Sequence, residues 1–285
     1  MNDISADKNK KCAPDKIFTD GSCISLDVLV EMANAYNIDN PTNQIVLYTS
    51  FETLNRDKYR KYLIAEFSKR LASVCSDQLC WTRQGFVKKM QDRMRDELTR
   101  HTFRPVGPEG QFQWLNTLNI NDTMRQYEAK YPDFKFLGAV PIDFDDLPQL
   151  GIRDLNLQDL VQSGKTKLGI VFNLDESYKS GSHWVSAFAN LQDGHVYYFD
   201  SYGFPPDERI RKFMRRLANF CKNDLKVANV VATHNKTRHQ FGGSECGVYS
   251  INFILRLLRG DTFETICSVP VPDNAVNVCR KVYFT

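Results

Sequence analysis

Residues 240–260 read QFGGSECGVYSINFILRLLRG. From Cys246 to Arg259 this stretch is apolar almost all round, through Val248, Ile251, Phe253, Ile254, Leu255, Leu257 and Leu258. A helix with no polar face has to sit in the middle of a domain. Gly260 is placed to end it. Ahead of it, Gly242-Gly243-Ser244-Glu245 reads as a turn, so Cys246 falls in the first helical turn. Orphan N–H groups and the positive end of the helix dipole favour a thiolate there, which is the nucleophilic form of cysteine. Glycines on either side let another backbone approach closely. A cysteine merely packed at a helix start is the plainer reading, and the thiol alone does not exclude it.

A nucleophilic thiol needs a base. The five histidines are His101, His183, His195, His234 and His239. His183 follows Ser-Gly-Ser and opens the run HWVSAFANL (183–191), and a second run, HVYYFD (195–200), follows after Asp193-Gly194. Asp-Gly between two runs rich in Val, Phe and Tyr predicts a β-hairpin. A hairpin returns the end of its second strand to the start of its first, so Asp200 is expected beside His183. A carboxylate there would fix the imidazole tautomer and stabilise the imidazolium. Gln240, six residues before Cys246, could donate from its carboxamide to a developing oxyanion together with the Cys246 N–H. Taken singly, Gln240 reads as a surface residue, and His239 and Arg238 read as solvated.

The rest of the chain gives these residues a setting. Other candidate strands are 136–144, 167–174 and 227–234, and helices are expected from Asn121 or Asp122 and after Asp207. The second of these would point Ile210, Phe213, Leu217 and Phe220 inward. Residues 1–105 read differently, as a helical accessory region. Ser25 can cap LDVLVEMANAY. A helix after Asn55 carries Tyr59, Leu63, Ile64, Phe67, Leu71 and Val74 on one stripe, and Phe86, Met90, Met94 and Leu98 mark another. RPVGPEGQ at 104–111 punctuates the chain, so a boundary is expected near 105, with 106–285 as the catalytic region. The expected fold class is α+β.

Composition bounds the alternatives. Of 285 residues, 42% are hydrophobic and 25% charged, values of an ordinary globular protein rather than a disordered or collagen-like one. Lys and Arg number 37 against 34 Asp and Glu, and a net charge of +3 does not by itself imply nucleic-acid binding. The sequence holds no apolar run long enough for a membrane span, and MNDISADKNKKCAPDK lacks the apolar core of a secretory signal. Without such a signal, the eight cysteines are expected as free thiols. Only Cys75 and Cys80 are closely spaced, which does not make a zinc site.

With the order His183, Asp200, Gln240, Cys246 in view, the chain resembles the adenain-like cysteine proteases, which include SUMO-specific proteases of the Ulp type. The matching segments are GSHWVSAFANL, VYYFDSYG and HQFGGSECGVYSINFIL, and upstream QWLNTLNINDTMRQYEAKYPDF. The resemblance covers roughly residues 111–285. It implies a papain-like/adenain-like core: a mixed sheet flanked by helices, with the nucleophile at the N-terminus of a central helix. It further implies that Trp114 and Trp184 close a narrow slot over a Gly-Gly pair, where any Cβ would clash. Thr117 stands where the cellular enzymes have an acidic residue. The compact helical region ahead of the core is closer in style to maturation proteases of nucleocytoplasmic large DNA viruses, African swine fever virus protease-like.

The function implied is a cysteine endopeptidase cleaving after Gly-Gly, processing viral structural polyproteins in the virion and host cytoplasm, without a cofactor. The partner is then a protein substrate with a Gly-Gly-X site. One alternative is removal of SUMO or another ubiquitin-like modifier in cytoplasm or nucleus. Others are an acyltransferase of similar residue order and a non-catalytic module that grips Gly-Gly tails. DNA as an activator is suggested by some viral relatives and by Arg83, Lys88, Lys89, Arg93, Arg95, Arg100 and Arg104. Asp92, Asp96 and Glu97 interrupt that run, and a solvated helix face is the better reading of it.

Overall fold

The computed structural model describes residues 11–48, 55–108 and 112–285. These form two compact units, one within 6–105 and the other within 106–284.

In the first unit, α1 (Leu26–Asp39) starts at Ser25, whose hydroxyl accepts from Val28 N–H, and α2 (Arg56–Leu71) starts at Asn55. Tyr59, Leu63, Ile64, Phe67 and Leu71 form the buried stripe, while Val74 lies beyond the helix end and is exposed. The stripe Phe86–Leu98 is not one helix. A 3-10 turn (Gly85–Lys89) stops at Met90, whose backbone is extended, and a new helical segment follows from Asp92. Phe86, Met90 and Leu98 are still buried, because short segments can each turn an apolar residue inward. The basic run here is mostly engaged: Lys89 pairs with Asp39, Arg95 with Asp92 and Arg100 with Asp96, and Arg104 is buried with its Nε donating to the Cys12 carbonyl.

The cysteines of this unit correct the expectation of free thiols. Cys12 is bonded to Cys23 and Cys75 to Cys80, each pair with Cα atoms 5.5 Å apart. Cys12 bridges Phe103 in an antiparallel pair, and Cys23 lies just ahead of α1, so the local fold carries both to bonding distance. A leader peptide speaks only to the compartment; here proximity decides the pairing.

The second unit is a five-stranded mixed sheet in sequential order: β1 (Phe134–Pro141), β2 (Lys167–Asn173), β3 (Trp184–Asn190), β4 (His195–Phe199) and β5 (Val231–His234). β1 and β2 run parallel, β2–β3 and β3–β4 antiparallel, and β4 and β5 parallel. Gly194, at φ +70°, turns the β3–β4 hairpin. Both sheet faces are buried, so the strands read as near-continuous apolar runs. Val171, Trp184, Phe188, Tyr197 and Phe199 pack with the helices Thr117–Lys130 and Cys246–Leu258. Ile170, Phe172, Val185, Val196 and Tyr198 pack with the helix Glu208–Asn223 on the other face. The expected strand at 227–234 shrinks to the short, largely exposed edge strand β5. The Thr117–Lys130 helix begins before Asn121. Asn116 caps it and Asn119 returns the bond to the Asn116 N–H, a capping box that saturates the first turn earlier. No helix among the described residues is long and apolar enough to cross a membrane.

Candidate active site

The sheet and the central helix Cys246–Leu258 meet at one end, and the expected quartet gathers there. His183 immediately precedes β3 and Asp200 immediately follows β4, in a hairpin that pairs Ser186 with Phe199. His183 Nε2 and Asp200 Oδ1 are 2.7 Å apart, both buried. The Cys246 thiol lies close enough to act electrostatically on the same imidazole. With Nε2 on the carboxylate, Nδ1 is the nitrogen left for the thiol. Burial pulls the imidazole down, but Asp200, through its hydrogen bond and charge, and Cys246 beside it outweigh burial and raise His183 from 6.5 to about 9.

Asp200 is itself held. The Tyr202 N–H donates to its Oδ1 at 2.8 Å. Asn235, just past β5, accepts the Asp200 N–H at 2.9 Å and donates to its carbonyl at 2.7 Å. Tyr202 stacks its ring on His183, centroids 4.7 Å apart. Neither Asn235 nor Tyr202 has a sequence signal beyond lying next to a strand end.

Gln240 is not a surface residue; it is 1% exposed. The His239 and Gln240 N–H groups both donate to the Ser201 carbonyl, which folds this loop down beside Asp200. The Ser201 hydroxyl donates to Gln240 Oε1 at 2.6 Å and Gln240 Nε2 donates to the Gly242 carbonyl at 3.0 Å, so the carboxamide has one fixed orientation. His239 is buried too, edge-on to Phe199, and burial pulls it below its ordinary value, leaving it a neutral packing residue. Arg238, beside them, stays exposed.

The turn ahead of Cys246 is clamped from the C-terminal segment. Asp273 accepts the Phe241 and Gly242 N–H groups at 2.9 and 2.6 Å and the Tyr249 hydroxyl at 3.0 Å. Arg280 donates to the Ser244 carbonyl at 3.1 Å. Burial pushes the Glu245 carboxyl up, but bonds from Asn277 and Ser244 hold it below the usual range, so it stays charged at the helix head. These partners come from far along the chain, and no local motif announces them.

The two tryptophans differ in setting. Trp184 is buried, its Nε1 donating to the Leu115 carbonyl at 2.8 Å. Trp114, next to Leu115 in the chain, is 49% exposed and lines a hollow of about 570 Å³ with Phe112 and Gly242–Glu245. Gly247 permits this: a Cβ there would meet the Leu115 side chain at 3.0 Å.

Burial governs the other free thiols. It pushes Cys267 up to about 12 and raises Cys221 and Cys279, which holds them as inert thiols. Among the described residues no group of three or more His, Cys, Asp or Glu could hold a metal ion.

Known proteins resemble this chain in sequence and in fold. The model of the Ulp1 protease family, C-terminal catalytic domain, matches residues 167–282, a span that contains His183, Asp200, Gln240 and Cys246. A protein of Acanthamoeba polyphaga mimivirus that carries the name of a thiol protease is 37% identical over 96% of this chain and 92% of its own. The SUMO-1 cysteine protease of African swine fever virus (isolate Pig/Kenya/KEN-50/1950) is 25% identical over 80% of this chain and 89% of its own. The crystal structure of the African swine fever virus protease superposes with a TM-score of 0.63 at 22% identity, over 84% of this chain and 93% of that one, and so shares the fold.

Proposed function

Given that the chain belongs to the Ulp1 protease family and is a thiol protease, we propose that it hydrolyses peptide bonds after Gly-Gly with Cys246 as nucleophile. This premise sets aside the non-catalytic Gly-Gly binder and the acyltransferase. In the proposed reaction Cys246 Sγ attacks the carbonyl carbon of the second glycine, with its proton on His183. The tetrahedral adduct collapses to a thioester as His183 returns that proton to the leaving amine, and water then hydrolyses the thioester. Asp200 orients and stabilises the imidazolium. Gln240 and the Cys246 N–H receive the oxyanion; loss of one such donor costs about 10²–10³ in rate. The observation that carries the reading is the buried 2.7 Å bond between His183 and Asp200, with Cys246 at the helix head acting on the same imidazole.

For the Gly-Gly preference the support is the hollow at Trp114 and the Gly242–Glu245 turn. In this reading Trp114 is the exposed wall of the slot, and Trp184 anchors that wall from below through Leu115. The proposed substrates are structural polyproteins of a virus, cut in the particle and the infected-cell cytoplasm, since relatives with protease names belong to mimivirus and African swine fever virus. A second reading, removal of a ubiquitin-like modifier, is favoured by the SUMO-1 protease name of one relative. DNA activation is not adopted, because the basic run near residue 95 is largely ion-paired or buried.

The test is cleavage by purified protein of short Gly-Gly-X peptides and of folded modifiers ending in Gly-Gly, with Cys246→Ala as control. Peptide cleavage lost in the variant is the expected result. A strong preference for the folded modifier would move the assignment to the second reading, and cleavage surviving in Cys246→Ala would sink the proposed nucleophile.

A further inference from the structure

Four flat groups stand in a row at the site. His183 stacks on Tyr202, with planes 21° apart. The Arg238 guanidinium lies over the Tyr202 ring at 5.0 Å and over the Phe241 ring at 4.8 Å. Arg238 Nε donates to the Gln240 carbonyl at 2.7 Å, so the guanidinium is pinned to the backbone of the proposed oxyanion donor. Phe241 is 73% exposed and Arg238 is exposed, so the end of the row faces solvent. The neighbouring carboxylates are committed elsewhere: Asp200 to His183, Asp273 to two backbone amides and Tyr249, Glu245 to Ser244 and Asn277. Among the described residues Arg238 has no ion-pair partner, and its η nitrogens have no acceptor.

A guanidinium fixed between two aromatic faces has already lost its rotamer freedom, and its fork matches a carboxylate with two parallel hydrogen bonds. Ordering it costs the substrate little. The position follows from the reaction. His183 must protonate the leaving amine, so the residues after the scissile bond depart along the side of the site that His183 occupies. The row begins at His183 and ends at Arg238. We infer that Arg238 is a specificity determinant that binds an acidic side chain within the first two residues after the scissile bond. This inference rests on the Gly-Gly protease reading.

The experiment compares kcat/KM of the full chain on paired peptides, Gly-Gly followed by Glu or by Gln at each of those two positions. The wild type is expected to favour Glu about fivefold at one of them, the size of a well-placed, partly exposed charge pair, and added salt should shrink the preference. The Glu-to-Gln ratio should fall to about one in Arg238→Gln, drop below one in Arg238→Glu, and be partly restored in Arg238→Lys. Because the ratio is internal to each variant, it does not depend on how much of that variant folds. A wild-type ratio of one, or a ratio kept in Arg238→Gln, would overturn the inference. Failure of the wild type to cleave any Gly-Gly peptide, neutral ones included, would instead remove the Gly-Gly reading and this inference with it.

Discussion

An imidazole that keeps its proton to about pH 9 can serve as a general acid across the whole neutral range, and in this site, against the pull of burial, the proton is held by Asp200 and Cys246. Asp200→Asn removes the charge and keeps the shape. The alkaline limb of the kcat/KM–pH profile is therefore expected to move from about pH 9 down toward the ordinary histidine value of 6.5, with kcat reduced throughout because the tautomer is no longer fixed. A profile unchanged in Asp200→Asn would show that the carboxylate does not control this proton. The same coupling acts on stability. The folded value lies above the unfolded one, so the stabilisation is complete below pH 6.5 and is lost as pH rises through about 9, which thermal melts across that window can follow. His183 and Asp200 were legible in the sequence because a hairpin converts spacing into proximity. Gln240 was legible as a candidate but not in its burial, and His239, read as solvated, is buried as well. Their loop has no periodicity, and what buries it is a pair of backbone bonds to Ser201, far away in the chain.

At the scale of elements, the strands and the central helix follow from apolar patterns that tertiary packing reinforces. Boundaries set by side-chain bonds are harder to read. The capping box of Asn116 and Asn119 starts the Thr117–Lys130 helix well before Asn121, and the extended Met90 breaks a stripe with unbroken four-residue spacing. The head of the central helix depends on two contacts of this kind. Adding a methyl at Gly247 brings a Cβ within 3.0 Å of Leu115, so Gly247→Ala should push the Trp114–Leu115 segment outward. The expected result is a higher KM for Gly-Gly peptides with a smaller change in kcat, and about 1–3 kcal/mol lost from stability. Steady-state kinetics beside a denaturant titration would check it; a pure stability loss with normal KM would mean that this segment does not contact substrate. Asp273 holds the turn that leads into the helix head. Asp273→Ala leaves the Phe241 and Gly242 amides without their acceptor and lets the Gln240 loop relax. Here kcat should fall by about tenfold or more with little change in KM, since the oxyanion is bound only after attack begins, and Asp273→Asn should recover part of it.

The whole molecule carries separate cores. Among the described residues one is built between Cys12 and Phe103, and the others between Leu115 and Phe284. The chemistry of the cysteines divides along the same line. Both disulfides lie in the first unit, whereas Cys221, Cys246, Cys267 and Cys279 of the second are free thiols. Composition could not foretell this division, because it gives eight cysteines and no distances between them. It has a calorimetric consequence. The Cys12–Cys23 bond closes a loop of 11 residues and Cys75–Cys80 one of 5, and by chain entropy each is worth roughly 2–3 kcal/mol. For a unit near one hundred residues a loss of that size lowers the melting temperature by about 10 °C or more. Scanning calorimetry of the full chain is therefore expected to show two transitions. A dithiol reductant should lower the one belonging to the first unit and leave the other in place, while peptide cleavage at temperatures below both continues. Cys12→Ser with Cys23→Ser should reproduce the downward shift without reductant. A single transition that moves as a whole on reduction would show that the two cores unfold as one, and the catalytic centre would then owe its stability to disulfides it does not contain.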